Sequence, residues 1–140
     1  MILRVKLDAE KGAMLPIRAH STDAGADILT PRGFTLAARS SAVIRTGVHV
    51  ELPPRTVGML KSKSGLNIFH DIIGEGVIDE GFDGEIVVKL YNLGDKPYRF
   101  ERGDKIIQLV VLPVWYLPIE QVDSINGGER GGAGYGSTGR

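Results

Sequence analysis

With 140 residues, 42% of them hydrophobic, and 17 basic residues balanced by 17 acidic ones, the chain suits one domain with a single core. A net charge of zero excludes an extended nucleic-acid footprint or an anionic membrane surface, so any anion site is local. The lack of cysteine excludes disulfides, thiolate zinc sites and cysteine nucleophiles; with no apolar run of membrane-spanning length and no signal-peptide pattern, the cytoplasm is the expected location.

Period-two alternation opens the chain, where Leu3, Val5 and Leu7 face away from Arg4 and Lys6. Turn signals follow at Asp23-Ala24-Gly25 and Pro31-Arg32-Gly33. Asp27, among the small residues of Ala24–Ile28, reads by spacing as a turn hydrogen-bonder, the other reading being an outer-sphere partner for a hard cation. Val48, Val50 and Leu52 alternate with His49 and Glu51, and Pro53-Pro54 ends that strand. One short helix is expected over Ser64–His70, with Ser64 as N-cap and Leu66, Phe69 and Ile73 on one face. Its approach, Lys61-Ser62-Lys63-Ser64-Gly65, gathers two ammonium groups and two hydroxyls, which fits either solvated capping residues or an anion site.

Residues 76–85, GVIDEGFDGE, form a glycine-punctuated acidic hairpin. Its charges suit a wet tip, but Asp79 follows the apolar pair Val77-Ile78, which puts its carboxylate at the edge of the core, where desolvation raises basicity. Phe82 supplies an apolar wall beside it. Ile86, Val88 and Leu90 then alternate with Val87, Lys89 and Tyr91, and turns are signalled at Gly94-Asp95 and Arg102-Gly103-Asp104. Ile106–Val114, interrupted by Gln108, reads as a strand buried on both faces. Many short strands with close turns and no internal repeat predict an all-β antiparallel sandwich or jelly roll. His20, His49 and His70 show no ligand spacing and read as surface or rim residues. A cation here would be magnesium riding on substrate phosphates.

The tail, Gly127–Arg140, holds seven glycines, two arginines, a serine, a threonine and one aromatic ring, too little apolar surface to fold alone. It reads either as a disordered terminus or as a polyanion clamp with a stacking ring. Gly131–Thr138 nearly matches a Walker A loop and Gly134–Gly139 a dinucleotide fingerprint, but neither has the strand before it and helix after it that such loops use.

Five blocks in order, AGADI (24–28), KSKSGL (61–66), GVIDEGFDGE (76–85), RGDKIIQLV (102–110) and RGGAGYGSTG (130–139), resemble those of the homotrimeric dUTPases. The resemblance implies a single-domain jelly roll of the dUTPase β-clip type over residues 1–126, with 127–140 as a lid that completes a site on another subunit. It implies hydrolysis of dUTP to dUMP and pyrophosphate with Mg²⁺, which limits uracil in DNA and supplies dUMP for dTMP synthesis. Asp79 corresponds to the aspartate that activates water, and Asp27 to one tied to the magnesium shell through water. Phe82 lies where the family places a ring against deoxyribose, and the stretch Gly76, Val77, Ile78 to Phe82 would read uracil. Lys63, Ser64, Gly65 and Gln108 correspond to phosphate-side residues. Arg130 would clamp the γ-phosphate, Tyr135 would stack on uracil, and Gly136, Ser137 and Thr138 would meet phosphate oxygens. Lys63 and Lys105 stand at usual arginines, Phe82 at a usual tyrosine, and Asp83 where arginine is common, which puts the expected charge pairs in question. A dCTP deaminase-type enzyme and a nucleotide-responsive regulatory binding protein are the rival readings.

Overall fold

Alternating side chains need two environments, and a curled antiparallel sheet provides them. The computed structural model describes residues 1–140 and contains β1 (Arg4–Leu7), β2 (Gly25–Leu29), β3 (Phe34–Leu36), β4 (Ser40–Arg45), β5 (Val48–Glu51), β6 (Thr56–Lys61), α1 (Ser64–His70), β7 (Ile72–Ile78), β8 (Val87–Asn92), β9 (Tyr98–Phe100) and β10 (Lys105–Pro113). Six strands form one sheet in the order β2-β10-β6-β7-β8-β4, and β1-β5 and β3-β9 make two-stranded companions, every pairing antiparallel. This is the expected jelly roll. Its core of 17 buried residues includes Ile28, Leu36, Ile44, Leu90, Ile106 and Ile107, with Phe100 stacked on Phe34 at 4.8 Å between ring centroids.

The alternations hold where the sequence places them. Val48, Val50 and Leu52 are buried beside exposed Glu51; Val88 and Leu90 are buried between exposed Val87, Lys89 and Tyr91. In β10 burial on both faces is confined to the first half, Ile106 and Ile107, while Leu112 is exposed. Strand β2 pairs only with residues 105–110 of β10, so its last three residues have β6 alone as neighbour.

Two local expectations are corrected. The N-cap of α1 is Lys63, with extended backbone and no side-chain cap bond; Ser64 is the first helical residue. Only Leu66 of the expected apolar face is buried, because Ile73 already belongs to β7 and Phe69 points into solvent. The second concerns the hairpin. Strands β7 and β8 pair only at Ile72↔Asn92, Ile73↔Tyr91 and Gly74↔Leu90. Above Gly74, β7 continues on β6, whereas Ile86 donates its N–H to Val48 C=O at 2.8 Å. The arms splay, and residues 79–85 bridge the gap.

Glu85 fastens the far end of that bridge and is no wet surface charge, its side chain being 7% exposed. It accepts Gly47 N–H at 2.9 Å and pairs with Lys11 at 3.2 Å and with Arg45. Burial pushes the carboxyl pKa up, but the Gly47 N–H, Lys11 and Arg45 outweigh that, and it lies below the ordinary glutamate value. A depressed carboxyl pKa stabilises the fold above the unfolded value, and that contribution is lost as pH falls through the folded one. Glu85→Gln should therefore lower stability by about 1–3 kcal/mol near neutrality. In urea unfolding across acid pH, its difference from the parent should shrink as Glu85 becomes protonated.

Candidate functional site

The sheet order gathers four of the five sequence blocks on four neighbouring strands, β2, β10, β6 and β7. At one end Asp27 of β2 is the register partner of Gln108 in β10, which faces Lys61 of β6 on its other side. Gln108 donates Nε2–H to Ser62 C=O at 3.0 Å, and its side chain lies over Gly25, where a Cβ would fall 2.2 Å from Oε1. That close approach accounts for glycine there.

Asp27 occupies the middle of a strand, contrary to the turn reading, and is buried. The small residues around it serve packing against β10, and two cations make its burial tolerable. Lys63 Nζ binds Oδ1, and Lys105 Nζ lies 3.1 Å from Oδ2. Both lysines thus have an intrachain partner. Of the two hydroxyls before α1, Ser62 is structural: its Oγ donates to Gly74 C=O at 3.0 Å and accepts Gly74 N–H at 2.9 Å, closing β6 onto β7. Ser64 and Gly65 are exposed at the start of α1, with open space beside the Gly65 Cα.

Asp79 stands elsewhere. It follows the last residue of β7, is exposed, and does not sit at the edge of the core, because Val77 points outward and only Ile78 of the apolar pair is buried. Ser62 binds Gly74, and Asp79 lies five residues further along, so about 17 Å of strand separates it from the Lys63 end. One chain does not bring Asp79 together with Lys63, Ser64, Gly65 and Gln108. A turn closes with Phe82 N–H donating to Asp79 C=O at 3.1 Å, Gly81 adopting φ 87°. The Phe82 ring is half exposed and packs on Gly84, where a Cβ would meet it at 2.4 Å. Gly76 lies against Leu60 of β6.

Glu80, which the sequence reading passed over, accepts Arg55 N–H at 2.9 Å and the Tyr116 hydroxyl. Those two bonds, Tyr116 foremost, hold its carboxyl below the usual range, and the bond to Glu80 raises the Tyr116 pKa in turn. Arg55 needs the help, being held at φ 60°. No sequence signal linked residues so far apart. Among the histidines, His20 pairs with Asp23 and His70 meets the Tyr98 ring at the surface, but His49 is half-buried and not a rim residue. No group of three or more His, Asp or Glu has metal-binding geometry.

Beyond β10 the chain has neither strand nor helix. Trp115, Leu117, Ile119 and Ile125 are each more than 70% exposed. In 127–140, which include Arg130, Tyr135, Gly136, Ser137 and Thr138, the backbone hydrogen bonds are local turns such as Ser137 N–H to Gly134 C=O at 2.9 Å. Every side chain there is exposed, so the tail residues stand apart from the sheet.

The fold defines a jelly-roll protein with an open, glycine-rich carboxy-terminal arm. The model of the dUTPase family matches residues 11–139, and the chain belongs to that family. It is 38% identical over 133 residues to the deoxyuridine 5'-triphosphate nucleotidohydrolase of Clostridium acetobutylicum, covering 93% of this chain and 92% of that one. Identity to the human mitochondrial deoxyuridine 5'-triphosphate nucleotidohydrolase is 36%, over 91% of this chain and 51% of that protein. A point mutant of the Staphylococcus bacteriophage 80alpha dUTPase, solved with dUpNHpp, superimposes with a TM-score of 0.90 at 33% identity, covering 99% of each chain. A point mutant of the dUTPase of phage phi11 of S. aureus, described with a structural Mg(II) ion, gives a TM-score of 0.80 at 30% identity, over 89% of this chain and 98% of that one. No helix is long and apolar enough to cross a membrane.

Asp27→Ala should leave Lys63 and Lys105 facing each other without their shared carboxylate. A loss of about 1–3 kcal/mol is expected in urea unfolding, and an unchanged midpoint would show that the two ammonium groups are held by water alone.

Proposed function

We propose that the chain hydrolyses dUTP to dUMP and pyrophosphate at sites shared between the subunits of a homotrimer. Family membership supports the substrate. The observation that carries the shared site is the separation of Asp79 from the Lys63 end, since a second copy can bring its own Asp79 to the Asp27 end of the first. The uncovered apolar side chains of Trp115, Leu117, Ile119 and Ile125 favour assembly as well.

In this reading Asp79 holds a water in line with the α-phosphorus and takes its proton as the new P–O bond forms and the bond to pyrophosphate breaks. No covalent intermediate is needed, because positioning and charge neutralisation carry reactions of this type. Phe82, seated on Gly84, forms the wall that excludes a ribose 2′-hydroxyl, and Gly76, Val77 and Ile78 lead into the backbone that reads uracil. Lys63, tethered by Asp27, presents its remaining N–H groups to phosphate beside Ser64, Gly65 and Gln108. Residues 127–140 close as a lid, with Arg130 on the γ-phosphate, Tyr135 on uracil, and Gly136, Ser137 and Thr138 on phosphate oxygens.

Both Asp27 oxygens are engaged by ammonium groups, so the residues fit Mg²⁺ only as an ion carried on the triphosphate and reached from Asp27 through water. Bound there, it would neutralise phosphate charge. The chain's own task is to orient the triphosphate against Asp79. Such activity would limit uracil in DNA and supply dUMP for dTMP synthesis, in the cytoplasm.

Asp79→Asn should bind a non-hydrolysable dUTP analogue while kcat falls by about 10²–10⁴-fold; near-normal turnover refutes the assignment. A chain ending at Asn126 should fold and trimerise by light scattering yet lose most hydrolysis, and full activity would remove the lid. Release of ammonia from dCTP, in place of pyrophosphate from dUTP, would move the protein to the deaminase reading.

A further inference from the structure

The bridge between β7 and β8 carries Asp79 and Phe82 but has no ladder of its own, so side chains must hold it. Glu80 anchors one end to Arg55 and Tyr116, and Glu85 anchors the other to Gly47. The centre is held from β5. His49 Nδ1 lies 2.9 Å from Asp83 C=O, and its Nε2 lies 2.9 Å from Asp8 Oδ2. A carbonyl and a carboxylate only accept hydrogen bonds. An imidazole that satisfies both must carry two N–H groups and is therefore a cation.

We propose that His49 is a positioning residue whose doubly protonated ring clamps the Asp83 carbonyl to Asp8 and so holds Phe82 and Asp79 in the geometry for hydrolysis. This rests on the dUTP-hydrolysis reading. The clamp is partly shielded from water: the His49 side chain is 18% exposed and that of Asp8 14%. Asp8 is itself held by Lys6 at 3.8 Å and Lys11 at 3.4 Å, and Lys11 continues to Glu85. Asp83 contributes a second carboxylate on the bridge, while the Arg4–Glu51 pair lies at the exposed edge of β1 and β5. The Asp8 carboxylate, then the Asp83 carbonyl, raises the imidazole pKa above its ordinary value, against the opposing effects of burial and Lys6. As pH rises through that value one N–H is lost, and an imidazole lone pair faces either the carbonyl or the carboxylate. The clamp opens on the alkaline side. Because the pKa is raised, its contribution is complete below the unfolded value and disappears above the folded one.

The test uses the full-length protein. Nitrogen NMR should find both His49 ring nitrogens protonated near neutrality, and the same titration should accelerate amide exchange at residues 81–84. The kcat for dUTP should fall about 10–100-fold along that limb with little change in KM. His49→Gln, which cannot donate in both directions, should already show the lower kcat near neutrality and lack the limb. Asp8→Asn should move the His49 titration to lower pH and carry the kcat limb with it. A singly protonated ring near neutrality, or an alkaline limb that survives His49→Gln, overturns the proposal. If the parent does not hydrolyse dUTP, the function fails independently, and amide exchange at 81–84 that ignores the His49 titration then overturns the clamp.

Discussion

The antiparallel register between β6 and β7 is the constraint on which the rest of the site depends. It pairs Lys61 with Glu75 and Gly58 with Ile78, so the polar turn before α1 and the carboxylate after β7 leave the sheet at opposite ends. Strands rise about 3.3 Å per residue and do not bend back over such a length, so no side-chain rotamer closes the distance. A chain built this way has half of one site at each end. The shared site proposed for a trimer rests on that separation, and the apolar side chains after β10 are exposed.

Burial of charge follows the same economy. Asp27 and Glu85 are largely removed from water, and each is met by two cations, Lys63 with Lys105 and Lys11 with Arg45. An unpaired carboxylate in either place would be expensive, so these networks fix β2 against β10 and the turn after β6, and the bridge against β4 and the turn before β5. Asp79 is left outside both networks and exposed. The side chains of 127–140 are all exposed, so burial does little to offset the entropy of ordering that segment.

The five polar blocks, the alternations around Val48–Leu52 and Ile86–Leu90, and the short helix at Ser64–His70 were legible because each depends on residues adjacent in sequence. Asp27 was misplaced for the complementary reason. A carboxylate among small residues looks like a turn until two lysines, 36 and 78 positions away by residue number, reveal it in a buried strand. Glu80 escaped notice because its partners are the backbone of Arg55 and the hydroxyl of Tyr116, and His49 was read as a surface or rim residue because its partners are Asp8 and a carbonyl.

Local patterning therefore determined the fold class, four of the strands, the family and the inventory of chemical groups. Tertiary structure alone decided which of those groups meet. The separation of Asp79 from Lys63, the splaying of β7 from β8 above Gly74, and the clamp at His49 all arise from strand register and long-range hydrogen bonds. Such contacts join residues whose spacing along the chain carries no periodicity, and only the folded sheet brings them within bonding distance.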